Sequence, residues 1–310
     1  MTVQLPDQSV PRLVLDRSVL RRLRHTVGRE TAAYRVDVEP DPARRALLGA
    51  PFESIDDVRR RLNRLESHFL ERDDRRAVFA TIYAEMTDRT VRAIDAGAFR
   101  DAAWMERYLV RFAEYYRRAL RNYDRGAFGD VPDPWVVAFG TALGGDALVM
   151  QDAFLGINAH VNYDLALTLS AVGIDPRREE KYADHNEINE LLRRLVSVLQ
   201  EVLAERYAPG LEQLGEDLGT LDDVATTLGI AAGRERAWRV AAIRTAAEWA
   251  PIDRLTTWLL SRTATGTAFL LLEPPIPPSA METLRSIEAG EVDVGSFAAE
   301  FHDRVDLDWN

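Results

Sequence analysis

The chain has 310 residues, 46% of them hydrophobic, enough to bury a sizeable core as one large helical domain or two smaller ones. Its formal net charge of -11 argues against duplex nucleic acid as a partner, because phosphate binding needs a net basic face. The absence of cysteine excludes disulfides, thiolate metal sites and cysteine nucleophiles together.

The polar start, Met1 to Pro11, has no apolar run of the signal-peptide kind, and the apolar stretch Ala268 to Leu272 is too short to span a bilayer. A cytoplasmic protein with no membrane contact is the expectation. Residues 1–50 read as an arm, with one helix from near Ser18 and then the irregular, Pro-containing segment Asp37 to Pro51. Arg12, Arg17, Arg21, Arg22 and Arg24 recur at helical spacing and read as a solvated face, although Ser18 to His25 is also where a homo-oligomer contact would fall. Lys181 is the only lysine, a bias that a GC-rich genome or a halophilic proteome produces.

Ser54 followed by Asp57 resembles a capping box, and Ile55, Val58, Leu62, Leu65 and Phe69 then repeat at three and four residues, giving an amphipathic helix. Phe79, Ile82, Tyr83, Met86 and Thr90 form the inward stripe of the next helix, which Gly97 closes. A third helix from Asp101 sets Met105, Tyr108, Leu109, Phe112 and Tyr116 opposite an arginine face. Asp133-Pro134 opens a fourth as an N-cap with proline behind it, and Gly144-Gly145 interrupts it. Asp146 to Ala171 is apolar on nearly all sides, the pattern of a central helix that others surround. A long helix from His185 to Tyr207 follows, then shorter helices over 210–229 and another from Gly233 to Trp249. The Pro-rich run from Glu273 to Pro278 is stiff and extended, and Ser279 with Glu282 caps a C-terminal helix ending near Gly290. The expected fold is all-α, a multi-helix bundle around a buried central helix, with an arm (1–50), a helical core (51–272) and a Pro-rich linker plus C-terminal helices packed on that core (273–310).

Chemistry concentrates in Gly156 to Leu165, which carries Asn158, His160, Asn162, Tyr163 and Asp164 on an otherwise buried helix. At 100° per residue His160, Tyr163 and Asp164 share a face with Gly156, while Asn158 and Asn162 lie opposite and read as interhelical ties. His160 and Asp164, four apart, suit a general base with its orienting carboxylate, an ordinary buried hydrogen bond, or two of the three or four ligands a metal needs. His25, His68, His185 and His302 are the only other histidines, so no metal ligand set is assigned and no cofactor is identifiable. Asp184 with Glu187 reads as a capping box, placing His185 at a helix N-terminus that disfavours a charged imidazole. His185 and Asn189 share the inward stripe of that helix with Leu192 and Leu199. Arg234 shares a face with Trp238, and a buried arginine demands a carboxylate or a bound anion, for which Asp164 is the natural candidate.

Ile82-Tyr83 with Thr87, Gly97-Ala98-Phe99, Phe112-Ala113 with Tyr116, Asn158 to Leu165, and Arg234 with Ala237-Trp238 together resemble an uncharacterised family of actinobacteria and haloarchaea over about residues 54–262. Its Asn-Ala-His-x-Asn-Tyr-Asp-Leu core is the specific part, and the resemblance implies a shared helical fold and a shared site without supplying a substrate. Two functions remain open on the sequence. One is a small-molecule enzyme or binding protein, with His160, Asp164 and His185 catalytic and Tyr163, Asn189, Arg234 and Trp238 holding the ligand. The other is a structural or interaction protein whose buried polar network only fixes helix packing.

Overall fold

Helix starts written into the sequence set most of the element boundaries. The computed structural model describes residues 17–214, 229–247, 249–274, 276–291 and 293–309, and among them there is no strand. The helices are α1 (Arg17–Arg24), α2 (Pro42–Gly49), α3 (Ile55–Leu70), α4 (Ala77–Asp95), α5 (Ala102–Tyr123), α6 (Asp133–Gly144), α7 (Val149–Ala159), α8 (Leu165–Val172), α9 (Arg178–Leu214), α10 (Ile230–Ala247), α11 (Ala250–Leu272), α12 (Pro278–Glu291) and α13 (Val294–Trp309). Ser54 Oγ accepts from the Asp57 N–H at the start of α3, and the Asp101 carboxylate accepts from the Trp104 N–H at the start of α5. Gly97 and Gly145 close α4 and α6 with φ of 75° and 74°, where a side chain would be strained.

Several boundaries differ from the sequence expectation. The segment read as irregular contains α2, capped by Asp41 with Pro42 in its first turn, the same Asp-Pro signal that was legible at Asp133-Pro134. At that later site Asp133 is itself helical and Pro132 occupies the cap. The long helix begins at Arg178, so Asp184 and His185 lie in its interior. Asp184 caps a different helix, accepting the Arg100 and Asp101 N–H groups ahead of α5 at 2.9 and 2.8 Å. Ser279 does not cap α12 either, since the helix begins at Pro278. The shorter helices expected over 210–229 fall largely outside the described residues, α9 continuing to Leu214.

The chain from Val149 to Val172 is one continuous helical rod made of α7, a π-helical turn at His160–Asp164, and α8. Every residue from Ala147 to Ala166 is buried. Helices α4, α5, α6, α10 and α11 pack around this rod, and α9 lies against α4, α12 and α13. Two glycines set how closely neighbours approach it. A Cβ on Gly156 would meet Phe79 Cγ at 2.3 Å, and one on Gly233 would meet Asn162 Oδ1 at 2.4 Å, so α4 and α10 reach the rod only because these positions have no side chain. Helix α1 lies along α11 in the same way, its Arg22 carbonyl 2.0 Å from where a Gly266 Cβ would stand. No helix among the described residues is long and apolar enough to cross a membrane.

Candidate functional site

The π-helical turn coincides with the polar motif. The Leu165 N–H bonds to the His160 carbonyl, a five-residue reach in place of the α-helical four, and this widened turn is of the kind often found where a helix carries function. With an extra residue in the turn each position advances by less than the 100° of an ideal wheel, which leaves Tyr163 short of the His160 face. Tyr163 therefore leaves the His160 face and lies near Tyr115, Arg244 and Asp133, where burial pushes its phenol up to about 12. Asn158 Nδ2 donates to the Ala264 carbonyl of α11 at 2.8 Å, and Asn162 Nδ2 donates to Asn158 Oδ1 at 3.0 Å.

His160 Nδ1 sits 2.9 Å from Asp164 Oδ2, and the same carboxylate oxygen accepts the Trp135 indole N–H at 2.8 Å. The imidazole stacks on Phe112 with ring centroids 3.5 Å apart and meets the edge of Tyr83 at 4.5 Å. Both members of the dyad are buried, at 3% and 1% exposure. Burial holds the imidazole well below its ordinary pKa and pushes the carboxyl well above its own, the Trp135 donor opposing the second shift. The dyad is thus driven toward an uncharged, two-proton form, one proton between Nδ1 and Oδ2 and the other on Nε2. Loss of one proton leaves the bridge in place and turns Nε2 into an acceptor. His160 Nε2 has no hydrogen-bond partner among the described residues.

A second cluster lies across Tyr108. Arg234 Nε donates to Asn189 Oδ1 at 2.5 Å, while its Nη2 donates to the His185 carbonyl and to His185 Nδ1, the latter at 3.2 Å. His185 Nε2 in turn donates to the Arg234 carbonyl at 3.3 Å. Burial, with the Arg234 charge second, holds His185 well below its ordinary pKa, so the imidazole is neutral in this geometry for a reason other than a helix terminus. Arg234 is 2% exposed and pairs with no carboxylate among the described residues. The expected Arg234–Asp164 tie is absent, because Asp164 is engaged by Trp135 and His160. Trp238 packs its ring 5.3 Å from His185, with its indole N–H unpartnered.

Between the clusters lies a cavity of about 60 Å³ whose wall includes His160, Arg234, Tyr83, Tyr108 and Phe112 and is otherwise mostly aliphatic. His160 and Arg234 are the two sequence-selected residues that face it. Asp164, His185 and Asn189 stand directly behind them, Trp238 stands behind His185, and Tyr163 is elsewhere. Tyr108 and Phe112 were read only as part of an inward helical stripe, and nothing in the spacing of Trp135 and Asp164, on separate elements, could have paired them. No group of three or more His, Asp or Glu side chains that could hold a metal occurs among the described residues, so the His160/Asp164 pair gains no third ligand there.

A family match spans residues 55–274, which takes in the rod, both clusters and every residue that lines the cavity. The chain belongs to DUF5995, a family of unknown function. The DUF5995 region begins at the first residue of α3 and ends just after α11, so α1, α2, α12 and α13 lie outside it. No curated protein and no solved structure matches the chain.

Proposed function

We propose that this DUF5995 protein is a small-molecule enzyme or binding protein whose site is the cavity between α4, α5, α9, α10 and the central rod, with His160 as its proton-transfer group. The observation that carries this reading is His160 Nε2, buried, unpartnered and on the cavity wall while Nδ1 is held by Asp164. A carboxylate that fixes one ring nitrogen aims the other, and the bridging proton lets the same ring give or take a proton at Nε2. Asp164 orients the ring, Trp135 orients Asp164, and Phe112 fixes its plane. His185 and Asn189 act as positioning residues for Arg234, which meets the ligand.

The competing reading, a buried network that only fixes helix packing, leaves a cost unexplained. An unmade hydrogen bond on a buried polar atom costs about 1–3 kcal/mol, and His160 Nε2 stands at the cavity without a partner among the described residues. A purely structural network would have closed on itself. The test is a fragment screen on the full chain with the imidazoles labelled with nitrogen-15. Polar fragments are expected to move the His160 Nε2 resonance, and His160→Gln, still folded, is expected to lose their binding. If no fragment reaches that resonance, or if His160→Gln binds every hit as the wild type does, the reading fails.

A further inference from the structure

Arg234 poses a question that the dyad does not answer. A guanidinium that is 2% exposed has left water almost completely, yet its three hydrogen bonds go to neutral acceptors, Asn189 Oδ1, the His185 carbonyl and His185 Nδ1. Buried charges in proteins are paired, because neutral acceptors satisfy a cation's N–H groups without cancelling its charge. No carboxylate of a described residue stands against this one. Among the described residues no counter-charge therefore meets Arg234 on the side where it faces the cavity.

The groups around that face are donors. Tyr108 Oη lines the same cavity within hydrogen-bonding reach of the guanidinium, its own hydrogen without an acceptor among the described residues, and in the uncharged dyad His160 Nε2 also carries a hydrogen. Three donors converging on one cavity describe an acceptor that carries negative charge. Arginine's planar fork matches a carboxylate in two-pronged geometry. The remaining wall is mostly aliphatic, including Ile82, Met86, Leu109, Leu192 and Leu195, and the hydroxyls of its two threonines, Thr87 and Thr90, already donate to the Tyr83 and Met86 carbonyls, so the rest of the ligand is apolar. Size narrows the class. The cavity measures about 60 Å³, whereas an engineered apolar cavity that takes up benzene measures about 150 Å³, so a ring does not fit without moving the walls.

We infer that the cavity takes a short-chain aliphatic monocarboxylate, of acetate to butyrate length, with its carboxylate on Arg234 and Tyr108 and its alkyl end against the aliphatic wall. This rests on the proposed site and specifies what enters it. His185 and Asn189 then have a defined part, holding the guanidinium in place for the anion; they are positioning residues.

The experiment titrates the full chain at neutral pH with propionate, propionamide and benzoate, following the labelled imidazoles. Propionate is expected to bind saturably and to move His160, with propionamide and benzoate at least tenfold weaker. Tyr108→Phe, which removes one hydroxyl and keeps the ring, is expected to weaken propionate severalfold and leave propionamide unchanged. Arg234→Met is expected to abolish propionate binding; should it not fold, the ligand series and Tyr108→Phe decide the matter alone. Propionamide binding as tightly as propionate overturns the inference while leaving a ligand site at His160 intact. Benzoate binding as tightly overturns the size limit and with it the ligand class. Failure of all three to reach His160 overturns this inference, and the fragment screen then decides separately whether any site exists there.

Discussion

His302 on α13 sits between two carboxylates, its Nε2 2.7 Å from Glu66 of α3 and its Nδ1 2.8 Å from Glu85 of α4. Hydrogen bonds to Glu66 and then Glu85 raise its pKa from 6.5 to about 10, against a smaller opposing effect of burial. A shift of that size corresponds to about 5 kcal/mol at 1.36 kcal/mol per tenfold change in proton affinity. The side chain is 35% exposed, however, and solvent screening at such a site reduces the expected contribution to about 1–2 kcal/mol. Because the folded-state pKa is raised, the stabilisation is fully present below pH 6.5 and is lost as pH rises through about 10. Urea denaturation of wild type and His302→Gln at pH 6, 8 and 10.5 measures the difference. The wild type should lead by about 1–2 kcal/mol at pH 6, with the lead shrinking by pH 8 and gone at pH 10.5. The helix stays docked in the variant, since Arg89 pairs with Asp306 at 2.5 Å and Trp309 lies between Arg89 and Arg194 at 5.2 and 4.4 Å. A lead that is constant with pH, or one that grows toward alkaline pH, refutes the ion-pair argument.

Trp135→Phe removes the indole donor from Asp164 while keeping an aromatic ring, and should cost about 1–3 kcal/mol in chemical denaturation, with the His160 ring-nitrogen resonances displaced from their wild-type positions. Unchanged resonances would show that Trp135 does not set the dyad. Asp152, buried beside Arg75 at 2.7 Å, has its pKa raised from 3.8 to about 7, chiefly by burial. Its ionisation therefore weakens the fold as pH rises from 3.8 through about 7, and Asp152→Asn should gain on the wild type over that window by up to about 4 kcal/mol. A stability difference that is flat from pH 4 to pH 8 would contradict that reading of Asp152.

Much of the helical framework was legible because its signals are local. Ser54 and Asp101 cap the helices they precede, Gly97 and Gly145 end those they follow, and the apolar character of Asp146 to Ala171 on all sides marked the rod that others surround. Capping and periodicity act within one or two turns, so neighbouring residues suffice to write them. Asp184 shows where the same rule misleads. An aspartate three residues ahead of a glutamate looks like a cap on its own helix, yet it caps α5 across the interface.

The site was legible as a set of residue types and not as an arrangement. His160, Asp164, His185, Asn189, Arg234 and Trp238 all belong to the two clusters beside one cavity, and their place on inward stripes, where all but the half-buried Asn189 are buried, was readable from helical spacing. The His160–Asp164 pair, four residues apart, was readable from its spacing, but the pairs between separate elements were not. Asp164 takes Trp135 and His160 in place of Arg234, and Tyr163 leaves the group because the π-helical turn breaks the 100° spacing that the wheel assumes. That turn, the close approaches at Gly156 and Gly233, and the placing of His160 and Arg234 on one cavity arise only when five helices pack around the rod. The sequence by itself determined which segments are helical and which polar residues must be buried, since both follow from contacts a few residues apart. Tertiary packing alone decided which buried polar groups on separate elements satisfy one another and which are left facing a cavity, since those partners, such as Trp135 with Asp164 or Asn189 with Arg234, lie dozens of residues apart along the chain.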